Sequence, residues 1–191
     1  EADAHCQARA ASAGLPNAEG YVAWLSTEAD DAYCHVQGLS GKKAELCGET
    51  ELPVGGGPWA RPDGVFVAAD VAVLTGGDCD DPDPADTPNT TSCLVNAIGT
   101  DEQGQTLDTQ AWTGTRPDGT VVGGCNCQGW SSFGCYAVGY SQSHGKGWSW
   151  IGPARSGCDR TSFSIYCFEV GRAQGAACAE DADCEGRRCV D

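Results

Sequence analysis

Thirteen cysteines in 191 residues, with no methionine anywhere, limit what this chain can fold into more than any other feature. Thiols at that density persist as disulfides only in an oxidising compartment, and a chain that begins at Glu1 is expected to have lost an initiator and a signal sequence. The expected location is therefore the extracellular space or the outer cell surface. A zinc protein is the competing reading, and the spacings oppose it. There is no Cys-x-x-Cys, only Cys125-Asn126-Cys127, and the histidines number three, His5, His35 and His144. The odd total leaves at least one sulfur without an internal partner.

A chain of this length can bury one substantial core, and 40% hydrophobic residues suffice to build it. No apolar run approaches the roughly 20 residues needed to cross a bilayer, so no membrane span is expected. Against 27 acidic residues stand 11 basic ones, a net charge of −16. That sign repels nucleic acid and anionic lipid, both of which are bound through basic patches. It suits solubility in the extracellular medium, or the binding of cations or basic surfaces.

Local chemistry places several elements. Ala4 to Leu15 is alanine-rich and ends in Gly14 and Pro16, the pattern of a short helix with a glycine cap, carrying Cys6. Tyr21 to Ser26 has the β-branched and aromatic character of a strand. Arg-Pro-Asp-Gly occurs twice, at Arg61 to Gly64 and Arg116 to Gly119, each soon after a tryptophan, Trp59 and Trp112. Proline presets φ for a turn and Asp-Gly tolerates the positions that follow, so both are expected as tight turns between strands. In the second, Ala111 to Thr115 and Thr120 to Val122 form the arms. Asp70 caps a short helix over Val71 to Thr75, and Ser162 to Glu169 alternates as a half-buried strand. The body of the domain is expected over residues 1–170. Residues 171–191 form a small, cysteine-bearing tail or partial microdomain with almost no large apolar side chains.

Cys6-Gln7 on an alanine-rich helix, Ala23-Trp24-Leu25-Ser26, Pro58 to Gly64, Ala111-Trp112-Thr113-Gly114-Thr115 with Asp118-Gly119-Thr120, Cys127-Gln128-Gly129-Trp130 and Tyr166-Cys167-Phe168-Glu169 resemble the bacterial endostatin-like domain family of unknown function. That family occurs in leptospiral surface lipoproteins and exported myxobacterial proteins, and the tail is similar to short cysteine repeats of myxobacterial surface proteins. The resemblance implies an α+β, C-type-lectin-like fold: a twisted antiparallel sheet with few helices, long disulfide-stapled loops and chain ends close together. It also implies a bridge from the first helix to the last strand, Cys6 with Cys167, and a second among the late loops, Cys127 with Cys158. For the remaining sulfurs, local pairs of sensible loop length are Cys34 with Cys47, Cys79 with Cys93, Cys125 with Cys135 and Cys178 with Cys189, leaving Cys184 odd. The calcium-dependent sugar motifs of such lectins are missing, Glu-Pro-Asn, Gln-Pro-Asp and Trp-Asn-Asp alike, and the lone His5 does not reproduce the zinc cluster of endostatin.

Catalytic templates fail. Gly139-Tyr140-Ser141-Gln142-Ser143 lacks the final glycine of a nucleophile elbow, and there is no His-Glu-x-x-His, phosphate loop or dinucleotide fingerprint. The chain is not expected to be an enzyme, and no cofactor is expected. The acidic loop supplies one candidate metal site: Asp78, Asp80, Asp81, Asp83 and Asp86 carry oxygen ligands suited to Ca²⁺, against the EF-hand pattern, which Pro82 and Asp83 break. The plain alternative is a solvated loop. Asn89-Thr90-Thr91 has the form of a glycosylation sequon. Trp130, Phe133, Tyr136, Tyr140, Trp148 and Trp150 lie among glycines and serines, a chemistry that gives rigid contact area at low entropy cost. Trp130 and Trp150 are expected in the core. Tyr136, Tyr140 and Trp148, with His144 and Lys146, are the candidate ligand-binding face. The expected function is a non-enzymatic module for binding or adhesion that recognises an extracellular protein or glycan. The alternative is a self-associating structural subunit of a surface filament, coat or larger complex.

Overall fold

The computed structural model describes residues 1–76, 94–130, 138–140 and 164–170. The described chain is mixed α and β. It has helices α1 (Ala2–Ser12), α2 (Ala32–His35), α3 (Val71–Leu74) and α4 (Cys127–Trp130), and strands β1 (Tyr21–Ala23), β2 (Trp59–Ala60), β3 (Phe66–Ala68), β4 (Gln110–Trp112), β5 (Val138–Tyr140), β6 (Ser164–Ile165) and β7 (Cys167–Glu169). No helix among the described residues is long and apolar enough to cross a membrane.

The alanine-rich opening forms the one long helix among the described residues. Its end is a Schellman cap: Gly14 is left-handed at φ 69°, its N–H donates to Ala11 O at 3.1 Å, and the Leu15 N–H reaches back to Ala10 O at 3.0 Å. Glycine accepts that φ without a Cβ clash, and Pro16 then prevents continuation. Asp70 caps α3 as its position predicts, with Oδ1 accepting from the Val73 N–H at 2.9 Å.

Both Arg-Pro-Asp-Gly segments are hairpin turns of one geometry. Arg61 N donates to Val65 O at 2.9 Å and Gly64 N to Arg61 O at 2.8 Å; Arg116 N donates to Thr120 O at 2.7 Å and Gly119 N to Arg116 O at 2.9 Å. In each, the aspartate accepts from the backbone two residues on, Asp63 from Val65 and Asp118 from Thr120. A third hairpin has the same frame without the same letters: Asp101 N donates to Gln105 O at 2.9 Å, Gly104 N donates to Asp101 O at 3.0 Å, and Thr100 pairs with Thr106. All three end in a left-handed glycine, the arrangement of a type I turn followed by a bulge.

The strands fall into three small sheets: β1 with β7, β2 with β3, and β5–β4–β6. Every pairing is antiparallel except β4 with β6, which is parallel. The expected single strand at Ser162 to Glu169 is, over its described part, two. Ser164 and Ile165 pair with β4, the chain bends at Tyr166, whose carbonyl accepts from the Trp24 N–H at 2.9 Å, and Cys167 to Glu169 pair with β1. Tyr166 and Phe168 alternate inward as the pattern predicts. Phe168 meets Trp24 and Trp59 edge-on, with ring centroids 5.9 and 5.6 Å apart. Around these rings pack Val36, Val67, Val71 and Leu74, all buried.

All six cysteines among the described residues are disulfide-bonded. Cys6 joins Cys167 across 161 residues, tying α1 to β7, and Cys34 joins Cys47 across 13. Cys125 and Cys127 are bonded as well; the partners expected for them, Cys135 and Cys158, lie outside the described residues, as do Cys79, Cys93, Cys178, Cys184 and Cys189 and the whole tail.

Candidate functional site

The motifs that carry the family resemblance are structural wherever they are described. Thr113 and Thr115 are fully buried. Thr115 Oγ1 lies 2.8 Å from Ser26 Oγ and donates to Thr113 O at 2.6 Å, while Ser26 Oγ also accepts from the Ala32 N–H at 3.0 Å. Between the threonines, Gly114 sits at φ 57° with Trp130 packed so close that a Cβ there would stand 2.6 Å from the ring. Trp130 is half-buried, donates Nε1–H to Ser26 O at 3.0 Å, and lies edge-on to Trp112 with centroids 6.2 Å apart. The Glu169 carbonyl accepts from Trp59 Nε1 at 2.7 Å. These residues form a scaffold that joins the segment following β1 to β4 and α4.

A second buried polar centre, which no sequence motif marks, is built around Asp31. Asp31, 3% exposed, accepts from the backbone N–H groups of Lys43 and Val121, both at 2.9 Å, and lies 3.4 Å from Lys42 Nζ. It thereby joins the start of α2 to the Arg116 hairpin, with partners on all sides, as a buried carboxylate requires. Lys43 lies over the Tyr33 ring at 4.2 Å and donates to Asp118 O at 2.7 Å. Burial pushes the Lys43 ammonium below its ordinary pKa and outweighs the opposing pull of Asp118 and Asp31. Burial likewise raises the Tyr33 phenol, helped by Asp70, and drives the Tyr166 phenol far above its ordinary value. Asp3, on α1, accepts from the Ala23 N–H at 2.9 Å and from His35 Nε2 at 3.0 Å. Burial alone would raise its pKa, and these hydrogen bonds with the His35 charge bring it below the ordinary carboxylate value.

One concave feature among the described residues is a groove of about 530 Å³. It is lined by His5 and Arg9 of α1, by Asp101, Glu102 and Leu107 of the third hairpin, by Pro58 to Pro62 and by Ser164 to Glu169. Arg9 and Glu102 form an ion pair between α1 and that hairpin. Two segments singled out in the sequence, Pro58 to Gly64 and Tyr166 to Glu169, contribute to its lining, but their meeting with α1 and the Asp101 hairpin is a product of the fold.

Asp78, Asp80, Asp81, Asp83 and Asp86 lie outside the described residues, as do Tyr136, His144, Lys146, Trp148 and Trp150. Of Tyr140 only the backbone is described, opposite Gln110 in the β4–β5 pair. Among the described residues no group of three or more His, Cys, Asp or Glu side chains could hold a metal ion.

No family model, curated protein or solved structure matches this chain.

Proposed function

We propose that this chain is an exported, disulfide-stabilised binding module with an endostatin-like, C-type-lectin-like fold, and that it recognises a protein or glycan outside the cell. The observation that carries the reading is the closure of the domain's two ends on each other. β1 pairs with β7, Cys6 is bonded to Cys167, Asn17 donates to the Glu169 carboxylate at 3.0 Å, and the Val170 N–H donates to Gly20 O at 2.8 Å. A base closed in this way supports the long connections between its strands, which suits loops that bind. Complete bonding of the described cysteines supports an oxidising compartment.

A pull-down from cell-surface extract with the full chain tests the reading. Specific capture is expected, and Tyr140→Ala with Trp148→Ala is expected to abolish capture of a protein partner while the melting temperature holds. Self-association into large oligomers by size-exclusion chromatography, with nothing captured, would overturn it in favour of a structural subunit.

A further inference from the structure

We propose that the groove between α1 and the Asp101 hairpin binds an extended, lysine- or arginine-bearing segment of a partner polypeptide, which pairs with the outer edge of β2. The inference deepens the binding-module reading and rests on it, but not on the late aromatic loops.

The backbone of the groove is open to pairing. Among the described residues β2 is bonded to β3 alone and β6 stands at one side of the β5–β4–β6 sheet, and both strands line the groove. Within the β2–β3 pair the Arg61 N–H donates to Val65 O at 2.9 Å, while the Phe66 carbonyl accepts from the Asn96 side chain at 2.9 Å. Ala60 and Phe66 stand opposite each other. They are therefore the non-hydrogen-bonded pair of an antiparallel ladder, and the N–H and C=O of Ala60 point away from β3. Ala60 is exposed in the lining, so an extended chain laid beside it can exchange both hydrogen bonds. Pro58 and Pro62, two residues to either side, have no N–H. They keep the pairing short and leave Ala60 the one donor of this edge.

The charge of the groove selects the side chains. Its two arginines are already held by carboxylates, Arg9 by Glu102 and Arg61 by Asp63. Asp101 Oδ1 accepts from the amides of Gln103 and Gln105 at 3.0 and 2.8 Å, and Glu169 accepts from the Asn17 side chain at 3.0 Å. Hydrogen bonds from neutral amides leave a carboxylate its charge, so Asp101 and Glu169 keep the lining negative within a chain of net charge −16. His5, exposed on α1 in the same lining, adds an acceptor nitrogen when its ring is neutral. Such a field draws in a cation and repels an anion. Successive side chains of an extended segment point to opposite faces. A lysine or arginine directed at the carboxylates then alternates with a side chain that meets Leu15, Ile98 and Leu107.

The probes are heptapeptides that alternate lysine or arginine with alanine, valine, leucine or tyrosine. They are arrayed beside glutamate-for-cation counterparts, cationic copies N-methylated at every internal amide, and uncharged glycans. The full chain is expected to bind cationic peptides, more weakly as salt rises, and to bind the other three sets about tenfold less or not at all. Ala60→Pro deletes the donor at the β2 edge without removing a bond to β3, and should weaken binding about tenfold. Asp101→Asn/Glu169→Gln keeps an oxygen acceptor for each amide, removes both charges and should weaken binding about fivefold. Glu49→Gln/Glu51→Gln, an equal change of charge on exposed residues outside the groove, should leave it within about twofold, as should Tyr140→Ala with Trp148→Ala. If Ala60→Pro fails to fold, chemical-shift mapping on the unmodified protein decides: the tightest cationic peptide must move the Ala60 amide resonance. The inference is overturned if no cationic peptide binds, if glutamate or N-methylated copies or glycans bind as well, or if the Ala60 amide is unmoved. A loss for Glu49→Gln/Glu51→Gln equal to that for Asp101→Asn/Glu169→Gln overturns it too. In each of these cases, partner capture in the pull-down would still leave the binding-module reading standing.

Discussion

The two described disulfides should differ in worth, and by a predictable amount. A cross-link lowers the entropy of the unfolded chain in proportion to the logarithm of the loop it closes. For Cys6–Cys167, which spans 161 residues, that relation gives about 5 kcal/mol at 25 °C; for Cys34–Cys47, which spans 13, it gives about 3. Cys6, Cys34 and Cys47 are nearly inaccessible to solvent while Cys167 is partly exposed, so the packing lost on replacement by alanine is no greater for the long-loop pair, and an excess loss of about 2 kcal/mol in that pair reports the loops. Guanidinium unfolding of Cys6→Ala/Cys167→Ala and Cys34→Ala/Cys47→Ala measures it. The first variant should also show the larger rise in m-value, because its unfolded state gains the most freedom to expand. Since total stability for such a domain is about 5–15 kcal/mol, failure of the first variant to fold at 25 °C while the second folds agrees with the prediction. Equal losses, or a larger loss for Cys34→Ala/Cys47→Ala, would show that the long bridge does not constrain the unfolded chain and refute the closure reasoning.

Gly114→Ala forces a left-handed backbone on a residue with a Cβ and drives that atom to 2.6 Å from the Trp130 ring, so a loss of about 2–5 kcal/mol is expected in denaturant unfolding; a loss below 1 kcal/mol would contradict the packing described. Asp70→Ala removes the acceptor for the Val73 N–H and should cost about 1 kcal/mol, with Asp70→Asn or Asp70→Ser recovering most of it in the same assay. Asp3 has a folded pKa below its unfolded one, so its contribution to stability is complete above the unfolded value of about 4 and is lost as pH falls through the folded pKa. Asp3→Asn should therefore flatten the acid side of the stability profile below about pH 4, and an identical acid slope in both proteins would remove Asp3 from that role.

Elements legible in the sequence are those whose causes lie within a few residues. The cap at Gly14 and Leu15, the Arg-Pro-Asp-Gly turns and the Asp70 cap each follow from one side chain or one φ value acting on adjacent backbone. The Asp101 hairpin is not legible in the sequence because its turn is specified by Asp101 and Gly104 alone, without the proline that marks the other two. The strand at Ser162 to Glu169 was recognised by alternation, but alternation does not reveal that its described halves serve different partners. The Cys6–Cys167 pairing came from resemblance, since spacing cannot choose among so many cysteines.

What the amino-acid order determined by itself is therefore local: where the chain turns, where its helices stop, and that cysteines at this density pair, as the six described ones do. Tertiary structure alone decided the rest. It brought Asp31 to the Val121 amide 90 residues on, Ser26 to Thr115 across 89, and Arg9 to Glu102 across the groove. The physical reason is that a hydrogen bond or ion pair is indifferent to the length of chain between its partners, so no periodicity or spacing records it. Only the packing around Trp24, Trp59 and Phe168, held by the bridge from α1 to β7, brings those groups within reach.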